Sequence, residues 1–199
     1  MTQSKLIPFI VSIILLAGCG LGQSPVKLNN YVIATSLDGQ TYSEVGDSLR
    51  IDQVTSTAPF NEKEMVYRVS DVKFESDYYN RFISEPEEIV GNQIALWLEK
   101  SGLYGAVSQP NMRAPSKQIL QVSITKLFGD FRDNQQPAAI IEMQFVLVES
   151  QGLRPEVIMK KTLASRVNID AKDPTLLAQG YGTALNDILK QLAKELSEK

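Results

Sequence analysis

The chain predicts an α+β fold: an antiparallel (mixed) sheet with two amphipathic helices packed on one face. Three observations predict it. Runs that alternate apolar and polar residues at period two recur between residues 30 and 167, the mark of half-buried strands. One helical stretch, Glu85 to Ser101, interrupts them, and a second, opened by Asp173-Pro174, runs toward the C-terminus. Each helix carries its apolar residues on a single face, so each needs a large apolar surface to lie against, and the sheet supplies it.

In chain order, Tyr31 to Ala34 is the first strand, closed by the Asp38-Gly39 turn signal. Ser48 to Val54 is the second, with Leu49 and Ile51 on one face against Arg50 and Asp52. Glu64 to Val69 is the third, and Val72 to Glu75 a fourth, short piece. Ser84-Glu85-Pro86-Glu87 reads as a capping box, with Ser84 as N-cap and the acidic side chains at the positive end of the helix dipole. Ile89, Val90, Ile94, Trp97 and Leu98 then share a face, which makes Trp97 a core residue, and Gly102 provides the stop.

A strand near Ala106 to Ser108 precedes two long strands. Leu120, Val122 and Ile124 alternate with polar residues until the phase slips at Lys126-Leu127, which predicts a bulge. Ile141, Met143, Phe145 and Leu147 alternate in the next, and a further strand covers Val157 to Val167. Gly129 to Pro137 is polar and reads as a hairpin tip. In the last helix Asp173 is the N-cap and Pro174 the first helical residue. Its stripe is Leu177, Tyr181, Leu185, Ile188, Leu192 and Leu196.

The N-terminus follows a different grammar. Lys5 precedes an apolar run from Leu6 to Ala17, followed by Gly18 and the chain's single cysteine, Cys19. A basic start, a short hydrophobic middle and small residues at the cut make a secretory signal. The run is shorter than the roughly 20 residues a spanning helix needs. Leu16-Ala17-Gly18-Cys19 resembles the lipobox of bacterial lipoproteins. The resemblance implies that Cys19 takes a diacylglyceryl group on its thiol and, after removal of residues 1–18, a third chain on its new amine. Attachment by three acyl chains is effectively permanent, since each buried methylene contributes about 0.8 kcal/mol. Gly20, where an Asp favours inner-membrane retention in enteric-type lipoproteins, implies an outer-membrane location facing the periplasm. The organisation is therefore a signal peptide (1–18), a lipidated cysteine with a short tether (19–29) and one domain (30–199).

Composition narrows the function. Of 199 residues, 20 are basic and 23 acidic, and removing the signal takes away only Lys5. No basic block survives, so the footprint of a nucleic-acid binder is missing. There is no histidine, and the sole cysteine is the lipidation candidate. The commonest general base, the commonest metal ligand and thiolate chemistry are thus all removed. No metal, cofactor or catalytic residue is assigned, and the chain is read as a non-enzyme.

Tyr67-Arg68 ends one strand. Val72 to Phe82 then leads through Ser84-Glu85-Pro86 to the helix that closes in Leu96-Trp97-Leu98-Glu99-Lys100-Ser101-Gly102-Leu103-Tyr104-Gly105-Ala106-Val107. This stretch resembles the ABC-type transport auxiliary lipoprotein component family, the paraquat-inducible-protein-C-like lipoproteins. Ala184-Leu185-Asn186 in the last helix fits as well, and the likeness extends from Asn30 to about Ser197. It departs at Phe82, where many members carry Trp. The resemblance implies a lipoprotein that works with a mammalian-cell-entry (MCE) domain protein and an ABC transporter to move phospholipids between two membranes. Its partners would be outer-membrane lipid, through acylated Cys19, and the MCE protein, with a homo-oligomer left open. The alternative is a structural or assembly lipoprotein of another envelope machine, such as a secretion or outer-membrane biogenesis complex, because folds of this kind host several roles. An apolar cavity would suggest direct lipid carriage, and a closed core a scaffold.

Tyr78, Tyr79, Arg81 and Phe82 form the densest aromatic-plus-cation cluster, a composition enriched at partner surfaces. The competing reading packs two of them beneath the helix, with Arg81 stacked on a ring. Asp130, Arg132 and Asp133 offer paired carboxylates on paper, but the polar surroundings favour a solvated loop. Lys160-Lys161 and Lys190/Lys194 face the same choice between anionic headgroups and ordinary surface.

Overall fold

The computed structural model describes residues 27–37, 40–112 and 114–198. The signal, Cys19, the tether from Gly20 to Pro25 and the Asp38-Gly39 turn lie outside the described residues. The strands are β1 (Asn29–Tyr31), β2 (Gly46–Ile51), β3 (Thr55–Ser56), β4 (Glu64–Arg68), β5 (Phe74–Phe82), β6 (Tyr104–Ser108), β7 (Gln118–Asp130), β8 (Ala138–Glu149) and β9 (Glu156–Asn168). Two helices, α1 (Pro86–Ser101) and α2 (Pro174–Ser197), complete the fold. The α+β expectation is met by a mixed sheet.

Strand β7 is the spine. Along one edge it pairs antiparallel with β8, which pairs antiparallel with β9. Along the other edge it takes β2, β3 and β4 in turn, all parallel to it, as the chain advances beside it. β6 then flanks β2, and β5 and β1 extend the sheet beyond β4, so β1 and β9 sit at opposite margins. The predicted phase slip is real: Ile124 faces Met143 and Lys126 faces Glu142, which leaves Thr125 as the extra residue. Its hydroxyl donates to the Glu142 carbonyl at 3.1 Å, or to the carboxylate at 2.9 Å. The bulge switches the buried set from Leu120, Val122 and Ile124 to Leu127 and Gly129 on the helix side.

Both helices lie on that side. The whole predicted stripe of α2 is buried, as are Ile94, Trp97 and Leu98 of α1. Each buried leucine contributes about 2 kcal/mol over its exposed state. Close approach is made possible by small residues: a Cβ on Gly129 would stand 2.9 Å from Leu177, and one on Gly180 would stand 2.9 Å from that of Ala139. A second, smaller core forms on the opposite face, where Phe128 stacks on Phe60 at 5.8 Å and meets Phe74 edge-on at 5.3 Å.

Several boundaries differ from expectation. The first strand ends at Tyr31 because residues 32–37 are used between the helices. Ile33 is buried, the Thr35 amide and hydroxyl both donate to Gln93 Oε1 of α1 at 3.0 Å, and Ala34 lies on Gly182 of α2. The second strand stops at Ile51 and pairing resumes only at Thr55. The short fourth piece is a nine-residue strand reaching Phe82. The capping box does not form. Glu85 is the N-cap of α1 and no side chain caps it; Pro86 follows as the first helical residue, where its missing N–H costs nothing. Gly102 does close the helix in the left-handed conformation, at φ 74°. Asp173 caps α2, its Oδ1 accepting from the amides of Thr175 at 2.8 Å and Leu176 at 3.0 Å.

Candidate functional site

The aromatic cluster falls in β5, next to the β1 margin. The β4–β5 pairing explains how. Met65 faces Asp77, yet the neighbouring Glu64 faces Arg81, so Tyr78, Tyr79 and Asn80 have no partner on β4 and bulge from the strand. One carboxylate organises the bulge. Asp77 Oδ1 accepts from the amides of Tyr79 at 2.9 Å and Asn80 at 3.1 Å; Oδ2 accepts from Tyr67 Oη and from Asn80 Nδ2, both at 2.8 Å. Partial burial opposes ionisation of Asp77, but these four donors outweigh it and hold the carboxyl below the usual range. The same bond and burial push the Tyr67 hydroxyl far up, burial being the larger cause. Asn80 then ties the bulge to β1: its Oδ1 accepts from Asn29 Nδ2 at 3.0 Å and from Tyr31 Oη at 3.1 Å.

This network splits the four predicted residues. Tyr78 and Tyr79 are 58% and 55% exposed, their rings in edge-to-face contact at 5.5 Å. Phe82 is 2% exposed and packs 6.0 Å from the ring of Tyr181. It belongs to the core. Arg81 is half-buried between Asn30 and Glu64, with its Nε buried and lacking a hydrogen-bond partner. The surface offered to solvent is therefore the tyrosine pair, joined along the margin by Val32 and Ile83 at the other end of β1.

The solvated-loop reading of Asp130 is corrected. Asp130 ends β7 and is buried on the face opposite the helices. Arg132 grips it bidentately, Nε to Oδ1 and Nη2 to Oδ2, each at 2.9 Å, and Arg166 Nη1 adds a third bond at 2.9 Å. Arg132 also reaches Asp71 at 2.7 Å, and Arg166 reaches the Gln136 carbonyl at 3.0 Å. The guanidinium bonds, that of Arg132 foremost, hold the Asp130 carboxyl far below its ordinary value. Asp133 faces elsewhere and accepts from the Gln135 amide at 2.7 Å, so no carboxylate pair forms. The signal in the sequence was an Asp and an Arg two apart at a strand end, which share a face; Arg166 is brought by β9 and had no local signal. Of the candidate lysines, Lys161 pairs with Glu195 at 2.7 Å and Lys194 with Glu198 at 3.7 Å. Among the described residues no group of three potential ligands is placed to hold a metal, and no helix is long and apolar enough to cross a membrane.

No protein-family model matches this sequence, and none of the curated proteins does. Solved structures do match. Protein XCC0632 from Xanthomonas campestris, of the family DUF330, is superposable with a TM-score of 0.68 over 87% of this chain and 100% of its own, at 16% identity. The chain shares its fold. An uncharacterized protein gives 0.62 at 18% identity, covering 79% of this chain and 95% of its own. The hypothetical protein CT253 from Chlamydia trachomatis gives 0.52 at 10% identity, over 77% of this chain and 99% of its own.

Proposed function

We propose that the protein is an outer-membrane-anchored periplasmic lipoprotein that serves, without enzymatic activity, as the auxiliary component of an MCE/ABC-type phospholipid transport system. The observation that carries the reading is the Leu16-Ala17-Gly18-Cys19 lipobox joined by a short tether to a single α+β domain. The stretch resembling the transport-auxiliary family, Tyr67 to Val107, supports it further; it supplies the end of β4, all of β5 and α1, and most of β6. The core favours a scaffold over a lipid carrier. The space between sheet and helices is filled by Leu120, Ile124, Met143, Phe145, Leu185 and Ile188, each fully buried.

The test is a cross-linked purification of the tagged protein from envelopes, beside a Cys19→Ala control, with partners identified by mass spectrometry. The expected result is an MCE-domain protein whose recovery falls in the control. Recovery of a different envelope machine with no MCE protein would replace this reading with that of an assembly lipoprotein.

A further inference from the structure

We infer that the β1–β5 margin is a membrane-contact surface, in which Tyr78 and Tyr79 seat in the headgroup layer of the bilayer that holds Cys19. The inference rests on the lipoprotein reading above and adds an orientation to it.

The first support is where the chain enters the fold. β1 runs parallel to β5, with Asn29 opposite Asn80 and Tyr31 opposite Phe82. Lys27 and Leu28 therefore approach from the side of Tyr79 and Tyr78, not from the far end of the margin. Nine residues separate Cys19 from Asn29, a span of at most ~35 Å when fully extended. A tether that short holds the margin at an effective concentration on the order of millimolar relative to the bilayer, so weak partitioning suffices.

The second support is the chemistry of the margin. Tyr78, Tyr79, Ile83 and Val32 are each more than half exposed and lie in, or directly follow, β5 and its partner β1. Tyrosine has an apolar ring and a polar tip, the combination enriched at membrane–water interfaces. The third is stiffness. Asp77 and Asn80 pin the backbone that carries both rings, so little order has to be gained on contact. β9 lies at the opposite margin, so this seating points β9 and the β8–β9 turn away from the membrane.

The test uses the full, processed lipoprotein in vesicles of phosphatidylethanolamine and phosphatidylglycerol. Acylation occupies the only native thiol, so an introduced cysteine can carry a nitroxide alone. Labels at Ile83→Cys and, as a control, at the fully exposed Leu153→Cys in the β8–β9 turn report access to oxygen, which partitions into lipid, and to a water-soluble nickel chelate. We expect an oxygen-to-nickel ratio several-fold higher at Ile83→Cys than at Leu153→Cys, falling toward the control value when Tyr78→Ser and Tyr79→Ser are added. Both tyrosine changes are at exposed side chains, and the buried Trp97 reports by its fluorescence that the fold is kept.

Equal ratios at the two positions, with Cys19 acylated by intact mass, overturn the membrane contact and leave the lipoprotein reading standing. Shielding of Ile83→Cys from both reagents overturns it in favour of a protein cover, such as a second copy. An unchanged ratio in the serine variant overturns the role of the tyrosines. A Cys19 without acyl chains overturns this inference and the lipoprotein reading together.

Discussion

The indole Nε1 of Trp97 donates to Oδ1 of Asn186 at 2.9 Å, a buried hydrogen bond that couples α1 to α2. Both residues sit in the apolar layer between the helices, so neither group has water to fall back on. Tyr42 covers the other side of the indole, at 5.8 Å between ring centroids. Replacing Asn186 with Ala strands the indole N–H and is expected to cost about 1–3 kcal/mol. In a double-mutant cycle with Trp97→Phe, measured by urea unfolding, the second change is expected to cost less than it does alone. Strict additivity would show that the bond does not couple the helices.

Asp130 is the residue whose loss is expected to open the sheet's far end. Asp130→Asn leaves Arg132 and Arg166 without their shared carboxylate, and we expect a loss of about 2 kcal/mol, in the range of hydrogen bonds to charged groups. The same bonds set a pH dependence. The carboxyl titrates lower folded than unfolded, so its contribution is complete above the unfolded value of about 4 and is lost as pH falls below it. Acid unfolding of the wild type should thus steepen below about pH 4, and the Asn variant should be flatter there. Parallel pH profiles for the two proteins would remove Asp130 from the account.

Gly182 lies in the middle of α2, where Gly→Ala ordinarily stabilises by up to about 1 kcal/mol. Here a Cβ would meet the backbone oxygen of Ala34 at 2.2 Å. Gly182→Ala is therefore expected to destabilise, and to do so by displacing residues 32–37. Amide exchange at Thr35, whose N–H is held by Gln93, should accelerate more than exchange in β7. A stabilised variant with Thr35 still protected would show that the segment can yield at no cost.

The two helix starts make opposite predictions for similar sequence signals. Asp173→Ala removes a carboxylate that accepts two amides and is expected to cost about 1 kcal/mol. Ser84→Ala should change stability by no more than a few tenths of a kcal/mol, because no side chain caps α1. Thermal unfolding of the two variants side by side measures the difference, and a costly Ser84→Ala would restore the capping box.

The stretches that read correctly are those whose pattern is local. The α2 stripe repeats often enough that only one face can be apolar, and all six of its residues are buried. The slip at Lys126-Leu127 showed because a bulge changes which residue parity is apolar, and that change is visible along a single strand. Ser84 misled because a capping box specifies which groups are able to bond, whereas the backbone entering α1 decides which of them do. The candidate surface was half legible: the cluster of Tyr78, Tyr79, Arg81 and Phe82 stood out by composition, but nothing local said that Phe82 faces inward while the tyrosines face out.

By itself, the sequence determined the α+β class, the two amphipathic helices, the α2 cap at Asp173 and the pattern of a lipobox at Cys19. The first three follow from periodicity and from residues bonding to near neighbours along the chain; the lipobox pattern is a resemblance carried by four consecutive residues. Only the tertiary structure decided that three short strands share one edge of β7, that Asp130 is buried between two arginines, and that Asp77 and Asn80 hold a tyrosine pair out of the sheet beside β1. Each of these depends on partners distant in sequence, such as Arg166 for Asp130 and Asn29 for Asn80, and a single chain read locally carries no record of which distant residues will meet.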